Sequence, residues 1–262
     1  MPEPRWTYVA EHRRPHVHPL RTPSGTVLTR DAPDDHPWHH GLWFTIKYVN
    51  GENFWETYDA HGVLRHVDDT TIHWIRPDRE TVVLVETCVL TEVDLGIPDA
   101  YALDWDVTLV PQVDVVLDRT AFTTWGGYGG LTLRGRGDWT DTRLLLSDGS
   151  THDRVLGTPG DWLDVSGTVD GADAGVLLMH HPSNERHPVP WYASTRADTY
   201  GHDGWSNFVN AAFLWSHPMS LAAGSTVRLR HRVIPHDGIW APPRCHREWR
   251  RYVADGYRAK GA

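Results

Sequence analysis

The chain has 262 residues, 40% of them hydrophobic, with 14 tryptophans and a formal net charge of −9 when histidine is neutral. This composition supplies a sizeable core and excludes a disordered chain, and the acidic balance leaves no broad basic surface for nucleic acid or anionic lipid. The 18 histidines are the unusual feature, because each can exchange a proton near neutral pH.

Trp6 to Ala10 predicts a first strand. His16-Val17-His18 lies between Pro15 and Pro19, which predicts an edge strand or an irregular segment with both histidines on one side. Arg21-Thr22-Pro23-Ser24-Gly25 reads as a turn. The densest stretch follows: Asp34-Asp35-His36-Pro37-Trp38-His39-His40-Gly41-Leu42-Trp43-Phe44. Pro37 excludes the middle of a helix or a central strand, so this is a polar loop that Gly41 hands to a strand over Leu42 to Val49. Loops held on a rigid scaffold are where chemistry concentrates. Asn50-Gly51 and His61-Gly62 are breaks.

From His66 onward the pattern is nearly pure β. Strands are predicted over Thr81 to Val93, Tyr101 to Val110 and Val113 to Phe122. The second places Leu103, Trp105, Val107 and Leu109 on one face. Trp125-Gly126-Gly127-Tyr128-Gly129-Gly130 interrupts the pattern; its glycines let a ligand or another chain segment come close, and no Gly-Lys-Ser/Thr marks a phosphate loop. Arg134 follows on a strand. Leu144 to Leu146, Trp162 to Val165 and Ala174 to Met179 are further strands, the last running into His180-His181-Pro182-Ser183-Asn184. Asn210 to Ser216 reads as a strand and Pro218 to Ser225 as a turn. Thr226 to Pro235 alternates, with Arg228, Arg230 and Arg232 forming a solvated outer face. Pro243 to Ala262 is the helical tail, with Trp249, Tyr252, Val253 and Tyr257 at helical spacing. Half-buried strands joined by short turns give an all-β antiparallel sandwich, one domain spanning residues 1–262 with a short C-terminal helix. No run approaches membrane-spanning length and the N-terminal residues lack a signal-peptide pattern. The two cysteines, Cys88 and Cys245, make no disulfide framework, so a cytoplasmic protein is expected.

Three stretches together resemble the bacterial family labelled PmoA-like: His18 to Gly25, Asp35 to Trp43, and His181-Pro182-Ser183-Asn184 with Pro190-Trp191-Tyr192. The resemblance implies a relative of the galactose-mutarotase β-supersandwich, with a carbohydrate as its small-molecule partner and a functional link to a sugar oxidoreductase. Aldose epimerases pair a histidine with a late glutamate in a characteristic setting; that glutamate has no matching position here, so plain mutarotation does not follow from the resemblance.

Three hypotheses fit these residues. The first is a carbohydrate-active enzyme performing epimerisation, elimination or hydration by histidine acid/base chemistry, without a cofactor. His39 or His40 serves as acid or base, with His181 as the complementary group. Arg134 and Arg21 orient the sugar or its oxyanion, and Trp38, Trp191 and Tyr192 stack on the ring. His18, His36, Tyr128 and Asn184 complete the candidate binding set. The second hypothesis adds a divalent metal held by histidines drawn from His16, His18, His36, His39 and His40, with Asp35. The third is a non-catalytic sugar-binding or assembly sandwich. No Gly-x-Ser-x-Gly elbow and no dinucleotide fingerprint is present. The enzymatic hypothesis requires residues 39–40 and 180–181 to converge on one cavity.

Overall fold

Apolar and polar side chains alternate along most of the sequence, and that period places one face of each strand against a shared core. The structure, a computed structural model, describes residues 3–11, 13–123, 125–196 and 207–258. Its first strands are β1 (Trp6–Val9), β2 (His16–Leu20), β3 (Leu42–Thr45), β4 (Tyr48–Val49), β5 (Glu52–Asn53), β6 (Val63–His66) and β7 (Thr71–Ile75). They are followed by β8 (Val82–Val93), β9 (Ala102–Pro111), β10 (Val115–Asp118), β11 (Gly130–Arg134), β12 (Thr140–Leu146), β13 (Thr151–His152) and β14 (Arg154–Gly160). The last are β15 (Trp162–Val169), β16 (Ala172–His180), β17 (Val189–Ser194), β18 (Phe208–Ala211), β19 (Met219–Leu221) and β20 (Val227–Asp237), before the helix α1 (Pro242–Arg258).

A seven-stranded sheet runs β1-β2-β3-β11-β18-β17-β14, and a nine-stranded sheet runs β13-β12-β15-β16-β20-β9-β8-β7-β6; a four-stranded sheet, β19-β10-β4-β5, adds to them. All recorded pairings are antiparallel. The two large sheets share one core. Val17, Leu42, Phe44, Leu131, Leu133 and Trp191 come from the first, and Trp105, Val107, Leu109, Val165, Val176 and Leu229 from the second. The expected antiparallel sandwich with a C-terminal helix is therefore what the chain forms.

Each large sheet also has an outer face. On the nine-stranded sheet it is apolar: Ala102, Leu145, Trp162, Leu177, Met179 and Ile234 pack with Trp240, Cys245 and Tyr252 of the helical end. On the seven-stranded sheet register pairs His16 with Trp43, Trp43 with Thr132, Thr132 with Asn210, Asn210 with Tyr192, and Arg134 with Phe208. Paired residues share a face, so these polar and aromatic side chains stand together opposite the core.

Several boundaries differ from expectation. The run Leu42 to Val49 is two strands, because the chain leaves one sheet after Thr45 and enters another at Tyr48. Val113 to Phe122 shortens to β10, and the strand expected at Asn210 to Ser216 is β18, Phe208–Ala211. Met219–Leu221, read as turn, pairs with β10. The arginines of β20 are not wholly solvated. Arg232 is buried between Asp104 and the ring of Tyr252, since α1 covers that face.

Candidate active site

The loop between β2 and β3 is folded by its own backbone. His36 and His39 donate their backbone N–H to the carbonyls of Pro33 and His36, and Ala32 N–H closes the loop on His39 O at 2.8 Å. Gly41 ends it with φ +55°, and a Cβ there would lie 2.3 Å from the carbonyl oxygen of Val17. Only glycine lets β3 start this close to β2. The loop thereby lies over the outer face of the seven-stranded sheet, where β11 supplies Arg134.

A cavity of about 270 Å³ opens there. Its walls are the rings of Trp38, Trp55, Trp125, Tyr128, Tyr192 and Phe208, and its polar groups are Asp35, His36, His39 and Glu56. Tyr128 stacks nearly parallel to Tyr192 with centroids 5.9 Å apart and lies 4.6 Å from Trp55. The glycine loop admits a second chain segment, as its composition allows. Gly127, at φ +77°, faces the ring of Trp215 so closely that a Cβ would sit 2.2 Å from it. Asn210 accepts the Gly129 N–H at 3.0 Å and ties the loop to the sheet.

The polar groups form a chain. The Nδ1–H of His36 donates to Asp35 Oδ2 at 2.7 Å, and Arg134, fully buried, donates from Nη2 to the same carboxylate at 3.0 Å. Arg134 Nη1 lies 3.1 Å from His39 Nδ1. A guanidinium only donates, so Nδ1 of His39 accepts and the proton of the neutral ring is on Nε2. In His36 the assignment is reversed: Nδ1 holds the proton and Nε2 the lone pair. The two rings stack with centroids 4.6 Å apart. Burial, then the charge of Arg134, holds His39 well below the ordinary histidine range, so it is neutral at pH 7. Burial also lowers His36, although the hydrogen bond from Nδ1–H to Asp35 works against it. Burial alone would raise Asp35, yet its bonds to His36 and Arg134 hold it below the usual carboxylate range. Burial opposes the ionised form of Glu56 too, and Lys47 with Asn53 restores it. The site thus offers a carboxylate-backed imidazole base, a neutral imidazole N–H and a fixed carboxylate beside a set of rings.

A second cluster lies next to this one. His40 Nδ1 is 2.7 Å from Asp31 Oδ1, and His16 Nε2 is 3.5 Å from the same oxygen. The His16 and His40 rings stack at 4.9 Å, and His16 Nδ1 donates to the Arg14 carbonyl at 2.7 Å. The histidine loop is therefore divided: His36 and His39 border the cavity, while His40 faces His16.

His36, Trp38, His39, Arg134, Tyr128 and Tyr192 of the expected set are brought together. Others are not. His181 follows β16 in the opposite sheet, where it meets Tyr252 of α1 edge-on, Ser183 and Arg230. It does not line the cavity, so the two histidine pairs do not converge; strand β16 ends on the helix-covered side. Asn184 clamps the backbone of Arg230 from both sides, N–H and carbonyl, and is a loop anchor. Trp191 is fully buried in the core with Nε1 donating to Gly160 O, because in β17 it points opposite to Tyr192. Arg21 binds Glu3 and the Gly25 carbonyl, and His18 is held by Thr29 Oγ1 near Asp31; neither lines the cavity. Asp31, Trp55, Glu56, Trp125 and Phe208 join these sites without having been singled out for them. Glu56, directly after Phe54-Trp55, carried the signal of an acid among aromatics. Asp31 carried none, since its approach to His40 depends on the loop closing.

An antiparallel sandwich with an aromatic, histidine-lined cavity on one outer face defines the class. The chain belongs to the family of unknown function DUF6807, whose profile matches residues 3–250. No curated protein matches it. Among solved structures, it is similar to a galactose mutarotase related enzyme from Lactobacillus acidophilus, at 9% identity and TM-score 0.41, covering 90% of this chain and 99% of that one. It is also similar to a polysaccharide lyase, at 10% identity and TM-score 0.37, covering 91% of this chain and 34% of the other. A proposed kojibiose phosphorylase from the human microbiome matches at 9% identity and TM-score 0.35, covering 76% of this chain. The chain spans 21% of that phosphorylase's own length. Among the described residues no helix is long and apolar enough to cross a membrane.

Proposed function

We propose that this cavity binds a carbohydrate and acts on it by acid/base chemistry between His36 and His39. The observation that carries the reading is the hydrogen-bonded chain His36–Asp35–Arg134–His39 bordering a cavity of aromatic rings. Rings such as Trp38 and Tyr192 match the apolar face of a pyranose, and the ionised Glu56 accepts sugar hydroxyls. Of the stretches that resemble the PmoA-like family, Asp35 to Trp43 and Tyr192 contribute to this cavity, while His18 to Gly25 and His181 to Asn184 lie elsewhere.

The chemistry that suits these roles is proton removal beside a carbonyl of a keto-sugar or keto-glycoside. His36 Nε2, with Asp35 behind it, takes the proton from the carbon next to the carbonyl. The electron pair moves onto the carbonyl oxygen, which the His39 Nε2–H stabilises. Transfer of that proton from the His36 imidazolium to a β-substituent oxygen, which leaves as the alcohol while the enolate pair re-forms the carbonyl, gives an elimination product; a proton delivered by water to the opposite face of the carbon, with His36 later releasing its own to solvent, gives an epimer.

The test is a panel of sugars, keto-sugars and glycosides, with binding followed by tryptophan fluorescence and turnover by NMR. We expect His36→Gln to retain binding within a few-fold and to lower turnover about 10²–10⁴-fold. Turnover that survives both His36→Gln and His39→Gln would remove this mechanism. Binding with no turnover of any compound by the intact protein would leave a sugar-binding protein.

A further inference from the structure

We propose that His16, Asp31 and His40 form a binding site for one divalent first-row transition-metal ion. It does not rest on the sugar reading, because the two sets of residues share no member. One ring nitrogen each of His16 and His40 and a carboxylate oxygen of Asp31 all lie within 4.8 Å of one another. Both histidines are 2% exposed, whereas the Asp31 side chain is 35% exposed, which gives an ion a path from solvent.

The protonation of His16 adds a chemical argument. Its Nδ1 lies 2.7 Å from a backbone carbonyl, which can only accept, so in the neutral ring Nε2 holds a lone pair. That lone pair and Asp31 Oδ1 face each other across 3.5 Å. An imidazole lone pair and a carboxylate oxygen are both groups that ligate a transition-metal cation. Ligands 2.0–2.1 Å from a tetrahedral ion stand about 3.3 Å apart, so this pair is already spaced for one. His40 Nδ1, at 2.7 Å from the same oxygen, carries the proton it shares with Asp31; on ion binding that proton leaves Nδ1, the neutral ring holding its hydrogen on Nε2, and the pair opens by about half an ångström, which rotation of the part-exposed Asp31 supplies. The Arg14 carbonyl meanwhile fixes the His16 ring, as outer hydrogen bonds do for metal-binding imidazoles.

The fold also brings the ligands together at a cost. His16 is on β2, His40 precedes β3, and the two strands approach through Gly41, where any Cβ would strike the Val17 carbonyl. Two imidazoles and one carboxylate select zinc or a similar ion over magnesium or calcium, which prefer oxygen ligands. Three protein ligands leave a further position for water.

Full-length protein freed of any affinity tag, stripped with chelator and dialysed, is titrated with zinc chloride by calorimetry. We expect one ion per chain with a dissociation constant below about 1 µM, unaffected by millimolar magnesium. Asp31→Asn, a part-exposed isostere that leaves the core untouched, weakens binding at least about 100-fold. His16→Asn does the same, while His39→Gln, one residue from His40 but directed to the cavity, keeps full affinity. Absence of a stoichiometric zinc ion, or equal affinity in Asp31→Asn and the wild-type chain, overturns the proposal. Asp31 would then be only a hydrogen-bond tether for His40.

Discussion

Asp35 receives hydrogen bonds from His36 and from Arg134 and so orients both imidazoles of the cavity. Asp35→Asn keeps its shape but removes the charge that backs His36. Turnover of the sugar identified in the panel is expected to fall about 10²–10⁴-fold. The melting temperature should fall as well, because the fully buried Arg134 loses the carboxylate charge it faces. Long-range ¹⁵N NMR gives an independent reading: at pH 7 His36 should be the Nδ1–H tautomer and His39 the Nε2–H tautomer. Glu86 is a residue of another kind. Fully buried, it accepts from Trp74 Nε1 at 2.8 Å, and burial pushes its carboxyl up to about 7 despite that bond and the charge of Arg14. Of the other titratable groups near it, Tyr8 and Cys88 are displaced upward, away from this range, and burial brings Arg14 down to about 9, still above it. The folded chain therefore binds the Glu86 proton more tightly than the unfolded chain does. Stability from this group is lost as pH rises from about 4.5 to about 7, on the order of 3 kcal/mol in total. Glu86→Gln keeps an acceptor for Trp74 and removes that dependence. Urea unfolding at pH 5 and pH 8 should show the variant gaining on the wild type at the higher pH.

At the scale of elements, strand identity was legible and strand endings were not. Leu103, Trp105, Val107 and Leu109 at every second position mark β9, and Val227, Leu229 and Val233, with His231 between them, mark β20; both strands form where the alternation predicts. The same period distinguishes Trp191 from Tyr192, one in the core and the next in the cavity, but sequence does not say which face is which. Phase is set by the register with β18, where Tyr192 meets Asn210 and Trp191 meets Ala211. The switch of sheet between Thr45 and Tyr48 was likewise hidden, because both strands are apolar and only their partners differ. Gly41 was readable as a break, but its close approach to Val17 was not. Gly41→Ala combines a left-handed backbone with that clash, which costs about 1–3 kcal/mol or more. A fall in melting temperature of about 5–10 °C is expected by calorimetry, with loss of the zinc affinity argued above. An unchanged melting temperature would mean that β2 and β3 move apart freely.

The whole molecule separates two tasks that the sequence ran together. His39-His40 and His180-His181 look alike, each a histidine pair beside a strand, and the sequence offers no means of telling that they belong to opposite sheets. In the folded chain the outer face of the seven-stranded sheet carries the cavity, and the outer face of the nine-stranded sheet carries α1. His181 lies on the helix side against Tyr252, with burial, then the charge of Arg230, pushing it down to about 4. It is neutral and packed there, so its contribution is to the seating of α1. Two variants separate the faces. Tyr252→Ala, which empties a buried ring from the helix contact, should cost about 3–5 kcal/mol and lower the melting temperature markedly, while sugar affinity holds below the transition. His181→Gln should leave turnover unchanged and shift the melting temperature by a few degrees at most. His39→Gln should do the reverse, lowering turnover with little change in melting. If His181→Gln instead abolished turnover in a chain whose melting was intact, the cavity would not be where the chemistry happens, because the large core between the sheets isolates one outer face from the other.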